Sequence, residues 1–180
     1  MSSPDAGRLP AITLVLGGAR SGKSRYAEAL VTGAAQAGTY IATGEAGDDE
    51  MAARIAHHRA HRGGFWRTVE APLDLAAAIL AHGGPVRPIL VDCLTLWVSN
   101  LLGAGRIVAH ESEALLGALR DAKGPVVLVS NEVGLGLVPE TPLGREFRDA
   151  AGRLNQAVAA LAERVVFIAA GLPLALKGGA

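Results

Sequence analysis

Eight consecutive residues, Gly17-Gly18-Ala19-Arg20-Ser21-Gly22-Lys23-Ser24, have the types and the spacing of a loop that wraps a phosphate. They fit the pattern G-x-x-x-x-G-K-[ST]. The glycines let the backbone curl until successive N–H groups face one anion. Lys23 would reach the outer phosphates of a nucleoside triphosphate, and the Ser24 hydroxyl would ligate Mg²⁺. The flanks are right for this loop. Ile12-Thr13-Leu14-Val15-Leu16 reads as a strand, and Tyr26 to Val31 reads as a helix. The N-terminus of that helix adds about half a positive charge at the loop.

Other residues able to do chemistry stand further along. Asp92 closes the apolar run Ile89-Leu90-Val91. A carboxylate there has the form of the residue that holds Mg²⁺ through water. The competing reading is a strand-end aspartate that caps the next helix. Asn131 and Glu132 end the following run and are placed to position a phosphate or an attacking hydroxyl, or simply to make a turn. Of five histidines, His57, His58 and His61 fall together beside Arg54, Arg59 and Arg62. On a helix His57 and His61 share a face, with His58 about 100° round. Three readings stand. A metal site would need ligands beyond these, and the chain has no cysteine pair and no metalloprotease glutamate. A solvated basic helix face needs nothing more. The third reading is a phosphate-contacting helix on which one imidazole is a nucleophile. Imidazole is largely neutral near pH 7, so it attacks phosphorus without a separate strong base. The arginines would offset charge on the transferred group.

The elements that must position these groups alternate. Strands are expected at Thr39 to Thr43, Trp66 to Glu70, Ile89 to Asp92, Val126 to Val129 and Val165 to Ala169, with Leu174 to Leu176 as an edge strand. Helices are expected from Asp48 to Arg62, Leu73 to Ala81, Leu94 to Leu102, Glu111 to Ala122 and Leu143 to Glu163. In the second of these, Leu73, Ala76, Ala77 and Leu80 share one face. Gly134 to Pro142 reads as a functional loop. Apolar strands alternating with helices imply a mainly parallel sheet with helices on both faces, in one domain. Residues 1–11 are expected to be a flexible tail and residues 12–180 the domain. Ligands of such sheets sit beyond the carboxyl ends of the strands, where the glycine loop, Thr43-Gly44, Glu70, Asp92 and Asn131-Glu132 all fall.

Composition narrows the class. Half of the 180 residues are hydrophobic and only 4% aromatic, so aliphatic side chains must fill the core. Seventeen basic residues balance seventeen acidic ones, so no overall basic field exists to attract nucleic acid or an acidic membrane. Cys93 is the sole cysteine, which excludes a disulfide framework and points to a reducing compartment. No signal peptide and no uncharged apolar run of membrane-spanning length is visible, so a cytoplasmic protein is expected.

Several stretches taken together resemble one family. They are GGARSGKS at Gly17 to Ser24, YIAT at Tyr40 to Thr43, DEMAARIAHHR at Asp49 to Arg59, Trp66 to Glu70, and Val91-Asp92-Cys93-Leu94-Thr95. Ser130-Asn131-Glu132-Val133-Gly134 and Arg148 to Asn155 complete the likeness, which runs from Ile12 to Lys177. The sequence is similar to the bifunctional adenosylcobinamide kinase / adenosylcobinamide-phosphate guanylyltransferases of cobalamin synthesis. The resemblance implies a single P-loop NTPase domain of RecA-like fold, assembled as a homotrimer. It implies phosphorylation of adenosylcobinamide by ATP or GTP, then transfer of GMP from GTP through a guanylyl-histidine, releasing pyrophosphate. It places the nucleophile on His58, with His57 as the second choice. It maps nucleotide contacts to Gly17 to Ser24, to Ala42, Thr43 and Gly44, to Arg59, Ala60, His61 and Arg62, and to Glu70 and Asp92. Gly63-Gly64 departs from the family's usual proline. Two other functions fit the residues: a plain P-loop small-molecule kinase with no covalent intermediate, and a non-enzymatic nucleotide switch.

Overall fold

Runs of valine, isoleucine and leucine form the middle of one sheet. In the computed structural model, which describes residues 9–44 and 63–179, the chain forms seven strands. They are β1 (Ile12–Gly17), β2 (Gly38–Ala42), β3 (Trp66–Glu70), β4 (Ile89–Asp92), β5 (Val126–Asn131), β6 (Arg164–Ala169) and β7 (Leu172–Lys177). Among the described residues five α-helices join them: α1 (Lys23–Ala34), α2 (Leu75–His82), α3 (Leu94–Gly103), α4 (Val108–Arg120) and α5 (Pro142–Leu161). The sheet order is β3-β2-β4-β5-β1-β6-β7. Every pairing is parallel except that of β6 with β7. All six residues of β1 and the first five of β5 are buried. Unbroken apolar strands of this kind belong to parallel sheets covered on both sides.

The covering follows from which side chains alternate. Val15, Val127, Val129 and Ile168 pack with Ala27 and Val31 of α1 on one face. Leu14, Leu16, Val91 and Leu128 pack with α2 to α5 on the other, around the fully buried Trp97. The Trp97 indole N–H donates to the Leu73 carbonyl at 2.8 Å, so the ring is buried without an unmet donor. Helix α5 starts where its sequence dictates: Thr141 accepts the Gly144 N–H at 3.1 Å, and Pro142 occupies the first turn.

Two expectations change. Helix α2 begins at Leu75, and it buries Leu75, Ala78 and Ile79 rather than the face carrying Leu80, which is 48% exposed. The buried stripe is displaced by two positions from the expected one, because alanines on both faces let packing choose the side that turns inward. The packed chain also begins before Ile12. Leu9 is buried in the α1-side core, and the Ala11 N–H donates to the Glu163 carboxylate at 2.9 Å. The expected histidine helix, with His57, His58, Arg59, Ala60, His61 and Arg62, lies outside the described residues.

Register aligns the carboxyl ends of the strands. Glu70 pairs with Ala42, Ala42 with Asp92, Asp92 with Val129, and Asn131 with Gly17. After β1 the chain crosses over α1 to β2 on one side; after β5 it crosses over α5 to β6 on the other. The crevice where these connections diverge lies above β1 and β5, which is where open α/β sheets take ligands.

Candidate active site

The glycine loop is built as its sequence predicts. Gly22 has φ 94° and Arg20 has φ 56°. A side chain at Gly17 would put its Cβ 2.6 Å from the Ile168 carbonyl oxygen and 2.6 Å from Ser21 Oγ. No side chain caps α1 and no acidic residue stands in its first turn, so its free N–H groups and dipole are left for an anion. Lys23 is buried, with its ammonium donating to the Gly18 carbonyl at 3.1 Å. Half-buried Ser24 follows it on α1. The loop is braced from an unexpected direction. Ala170 and Gly171, at φ 51° and 80°, make the tight β6–β7 turn, and the Gly171 N–H donates to the Ser21 carbonyl at 2.8 Å.

A second wall forms at the ends of β2 and β4. The Tyr40 hydroxyl donates to Asp92 Oδ2 at 2.9 Å, so one carboxylate oxygen is held and oriented. Thr43 is fully buried. Its hydroxyl donates to the Cys93 carbonyl at 2.7 Å and accepts the Cys93 N–H at 2.8 Å. Its own N–H donates to the Asp92 carbonyl, and its carbonyl accepts from Asn100 at 2.7 Å. The Thr43 side chain thus clamps the β4–α3 corner, at the carboxyl end of β2 where a nucleotide contact is expected. Burial, together with the adjacent Asp92 charge, pushes the Cys93 thiol up to about 11, so it stays protonated and inert at neutral pH. Glu70 ends β3 beside Ala42 and lines a cavity of about 410 Å³ with Pro72 and Leu73.

The end of β5 separates these walls. Thr95 accepts the Asn131 N–H at 2.7 Å and lies 3.3 Å from the Ser130 hydroxyl. The Asn155 amide donates to the Asn131 carbonyl at 3.1 Å, tying α5 to the strand end. The Glu132 N–H donates to the Gly17 carbonyl at 3.2 Å, which sets Glu132 against the first residue of the glycine loop. The Glu132 carboxylate accepts the Gly134 N–H and steers the chain into an exposed loop bearing Leu135, Leu137 and Val138.

The structure thus brings Gly17 to Ser24, Ala42, Gly44, Glu70, Asp92, Asn131 and Glu132 to one edge of the sheet. Sequence reasoning gave no role to Tyr40, Thr95, Asn100, Asn155 or Gly171. Tyr40, Thr95 and Asn155 lay within the stretches that carried the resemblance; Gly171 showed only as a glycine between two apolar runs. Among the described residues no group of three metal-ligating side chains forms. An Mg²⁺ held by Ser24 and Asp92 would thus take its other oxygens from phosphate and water, as that ion commonly does.

A glycine loop between β1 and an uncapped α1, with a carboxylate two strands away, defines a nucleotide-binding P-loop NTPase fold of the RecA-like kind. Solved structures agree on the fold. The flagellar accessory protein FlaH of Methanocaldococcus jannaschii superposes with a TM-score of 0.55 at 12% identity, covering 98% of this chain and 84% of that one. A prototypical ATPase from the type III secretion system of pathogenic bacteria gives 0.56 at 14% identity, covering 94% of this chain and 59% of that one. The family is closer in sequence: residues 13–176 match the cobinamide kinase / cobinamide phosphate guanyltransferase family, and the chain belongs to it. The bifunctional adenosylcobalamin biosynthesis protein CobP of Pseudomonas aeruginosa is 53% identical, covering 92% of this chain and 96% of that protein. CobU of Salmonella typhimurium is 45% identical, covering 91% and 98%. Among the described residues no helix is long and apolar enough to cross a membrane.

Proposed function

We propose that this chain phosphorylates adenosylcobinamide with ATP or GTP and then transfers GMP from GTP to the product, releasing pyrophosphate and forming adenosylcobinamide-GDP. The single observation that carries the reading is the glycine loop, with Lys23 and an uncapped α1, in a chain of this family. In the first step catalysis is mostly positioning. The loop amides and Lys23 hold the triphosphate and offset charge as the γ-phosphoryl moves to the hydroxyl. Mg²⁺, held by Ser24 and Asp92, would neutralise phosphate charge when bound. Tyr40 keeps the Asp92 carboxylate oriented for that task.

In the second step His58 attacks the α-phosphorus of GTP. A nitrogen–phosphorus bond forms and the bond to pyrophosphate breaks. The phosphate of the corrinoid then attacks the same phosphorus and releases the histidine. Arg59 and Arg62 would offset charge on the moving group. The assignment of His58 and of the contacts at Ala60, His61 and Glu70 rests on the family resemblance, as does the homotrimer, while the use of Mg²⁺ follows from the phosphate-loop pattern.

The test is α-labelled GTP, followed by denaturation. Acid-labile, base-stable label on the wild-type protein is expected. It should be lost in His58→Ala, which keeps phosphorylating cobinamide, and both activities should fall in Lys23→Ala. An unlabelled wild type that still phosphorylates cobinamide would support the plain kinase. Loss of label in His57→Ala instead of His58→Ala would move the nucleophile by one residue.

A further inference from the structure

Beside α5 runs a groove of about 710 Å³, lined in part by Leu16, Glu132, Asn155, Gln156 and Leu176. That volume is within the range of small-molecule sites, about 300–1,000 Å³. The groove is not isolated from the glycine loop. Leu16 directly precedes Gly17, and the Glu132 N–H donates to the Gly17 carbonyl at 3.2 Å. Asn155 is only 6% exposed. Its amide nitrogen is committed to the Asn131 carbonyl at 3.1 Å, which fixes the orientation of the group. Its Oδ1 is buried and meets no donor among the described residues. A buried acceptor in that condition calls for a hydroxyl or amide hydrogen from outside the chain. Glu132 offers a second acceptor, because Gly134 occupies only Oε1.

Two of the three cations on the walls are already engaged, and the third, Arg153, is exposed. Arg148 is paired with Asp149 at 2.9 Å, and the Lys177 ammonium donates to the Ala159 and Ala160 carbonyls at 3.0 Å each. The second Glu132 oxygen at the phosphate-loop end and leucines along the walls suit an amphipathic ligand that brings a hydrogen-bond donor.

We propose that this groove holds the acceptor alcohol, and that Glu132 at its inner end takes the proton of the hydroxyl being phosphorylated. The inference rests on the reading of the chain as a cobinamide kinase and adds where the acceptor lies. The hydroxyl oxygen forms a bond to the γ-phosphorus. The bond from that phosphorus to the bridging oxygen breaks, and the nucleoside diphosphate leaves with the electron pair. The hydroxyl proton passes to the Glu132 carboxylate and then to solvent. Positioned proton transfer of this kind contributes about 10²–10⁴ in rate.

Two variants test it. Gly152 lies on α5 and lines the groove, and a Cβ there meets nothing within 4 Å. Gly152→Phe should fill the groove without harming the helix, since glycine is the poorer helix former. It should raise KM for adenosylcobinamide at least about tenfold, with GTP affinity and Tm unchanged. Glu132→Gln keeps an oxygen for the Gly134 N–H but cannot take a proton. Its kcat for phosphorylation should fall by about 10²–10⁴, with KM nearly constant. A purely structural Glu132 would leave kcat intact in the glutamine variant. Wild-type turnover with an unchanged corrinoid KM in Gly152→Phe, or with equal loss of GTP affinity, overturns the groove. A kcat for Glu132→Gln within twofold of wild type overturns the base. A wild type that never phosphorylates cobinamide overturns the functional reading, and the acceptor assignment falls with it.

Discussion

Thr43→Val separates a structural threonine from a nucleotide contact. Valine matches threonine in shape but removes Oγ1, which donates to the Cys93 carbonyl at 2.7 Å and accepts the Cys93 N–H at 2.8 Å. Thr43 is 0% exposed and Cys93 6%, so water cannot replace the lost partner. Each buried group left unpaired costs about 1–3 kcal/mol, giving a total of about 3 kcal/mol when one of the two partly relaxes. Against a typical stability of about 5–15 kcal/mol that is a large fraction. For a chain of this size it corresponds to a Tm loss of roughly 6–12 °C. Equilibrium urea unfolding of the nucleotide-free protein measures it, with an unchanged m value. Thr32→Val, at an exposed helix position, is the control and should change little. Saturating GTP should raise the Tm of Thr43→Val and wild type by the same increment, because linkage depends on affinity alone. A loss below about 1 kcal/mol without ligand, combined with a vanished GTP shift, would refute the clamp and return Thr43 to the nucleotide.

Three further outcomes are expected. Gly17→Ala forces a Cβ to 2.6 Å from the Ile168 carbonyl, a backbone atom that cannot swing away; calorimetry should show at least about tenfold weaker nucleotide binding. Tyr40→Phe removes the donor to Asp92 Oδ2 and should cost about 1–2 kcal/mol, with a double-mutant cycle against Asp92→Ala giving clear coupling. Coupling near zero would separate the two residues. The Cys93 thiol, pushed from 9.0 to about 11 by burial, predicts alkaline weakening. The folded state favours the protonated form, so this stability is complete below pH 9 and is lost as pH rises toward 11. The loss is on the order of 2–3 kcal/mol. Urea midpoints at pH 8 and pH 10.5 should diverge in wild type and converge in Cys93→Ala.

Legibility followed the range of the interactions. Strand β3 falls at Trp66–Glu70 and β4 at Ile89–Asp92, where the apolar runs and their polar ends put them. The glycine loop was legible because its pattern is complete within eight residues, with Gly22 meeting the left-handed φ of 94°; the left-handed Arg20, at 56°, gave no such signal. Helix α2 was misread because alanine occupies both faces of Leu75–His82, so the pattern does not say which stripe is inside. Packing chose Leu75, Ala78 and Ile79, which is a tertiary decision.

The chain on its own settles that it alternates strand and helix, carries a phosphate cradle at Gly17 to Ser24, and places carboxylates at strand ends. These are local matters of glycine freedom, periodicity and helix termini, and they are written within a few residues of one another. The sheet order is different. It decides that Thr43 meets Cys93 across 50 positions, that Asn155 meets Asn131 across 24, and that the Gly171 turn braces Ser21. No short stretch records those meetings, because they exist only once β5 is seated between β1 and β4 and two faces of helices close over it. The cradle was written in the sequence; the walls around it were made by folding.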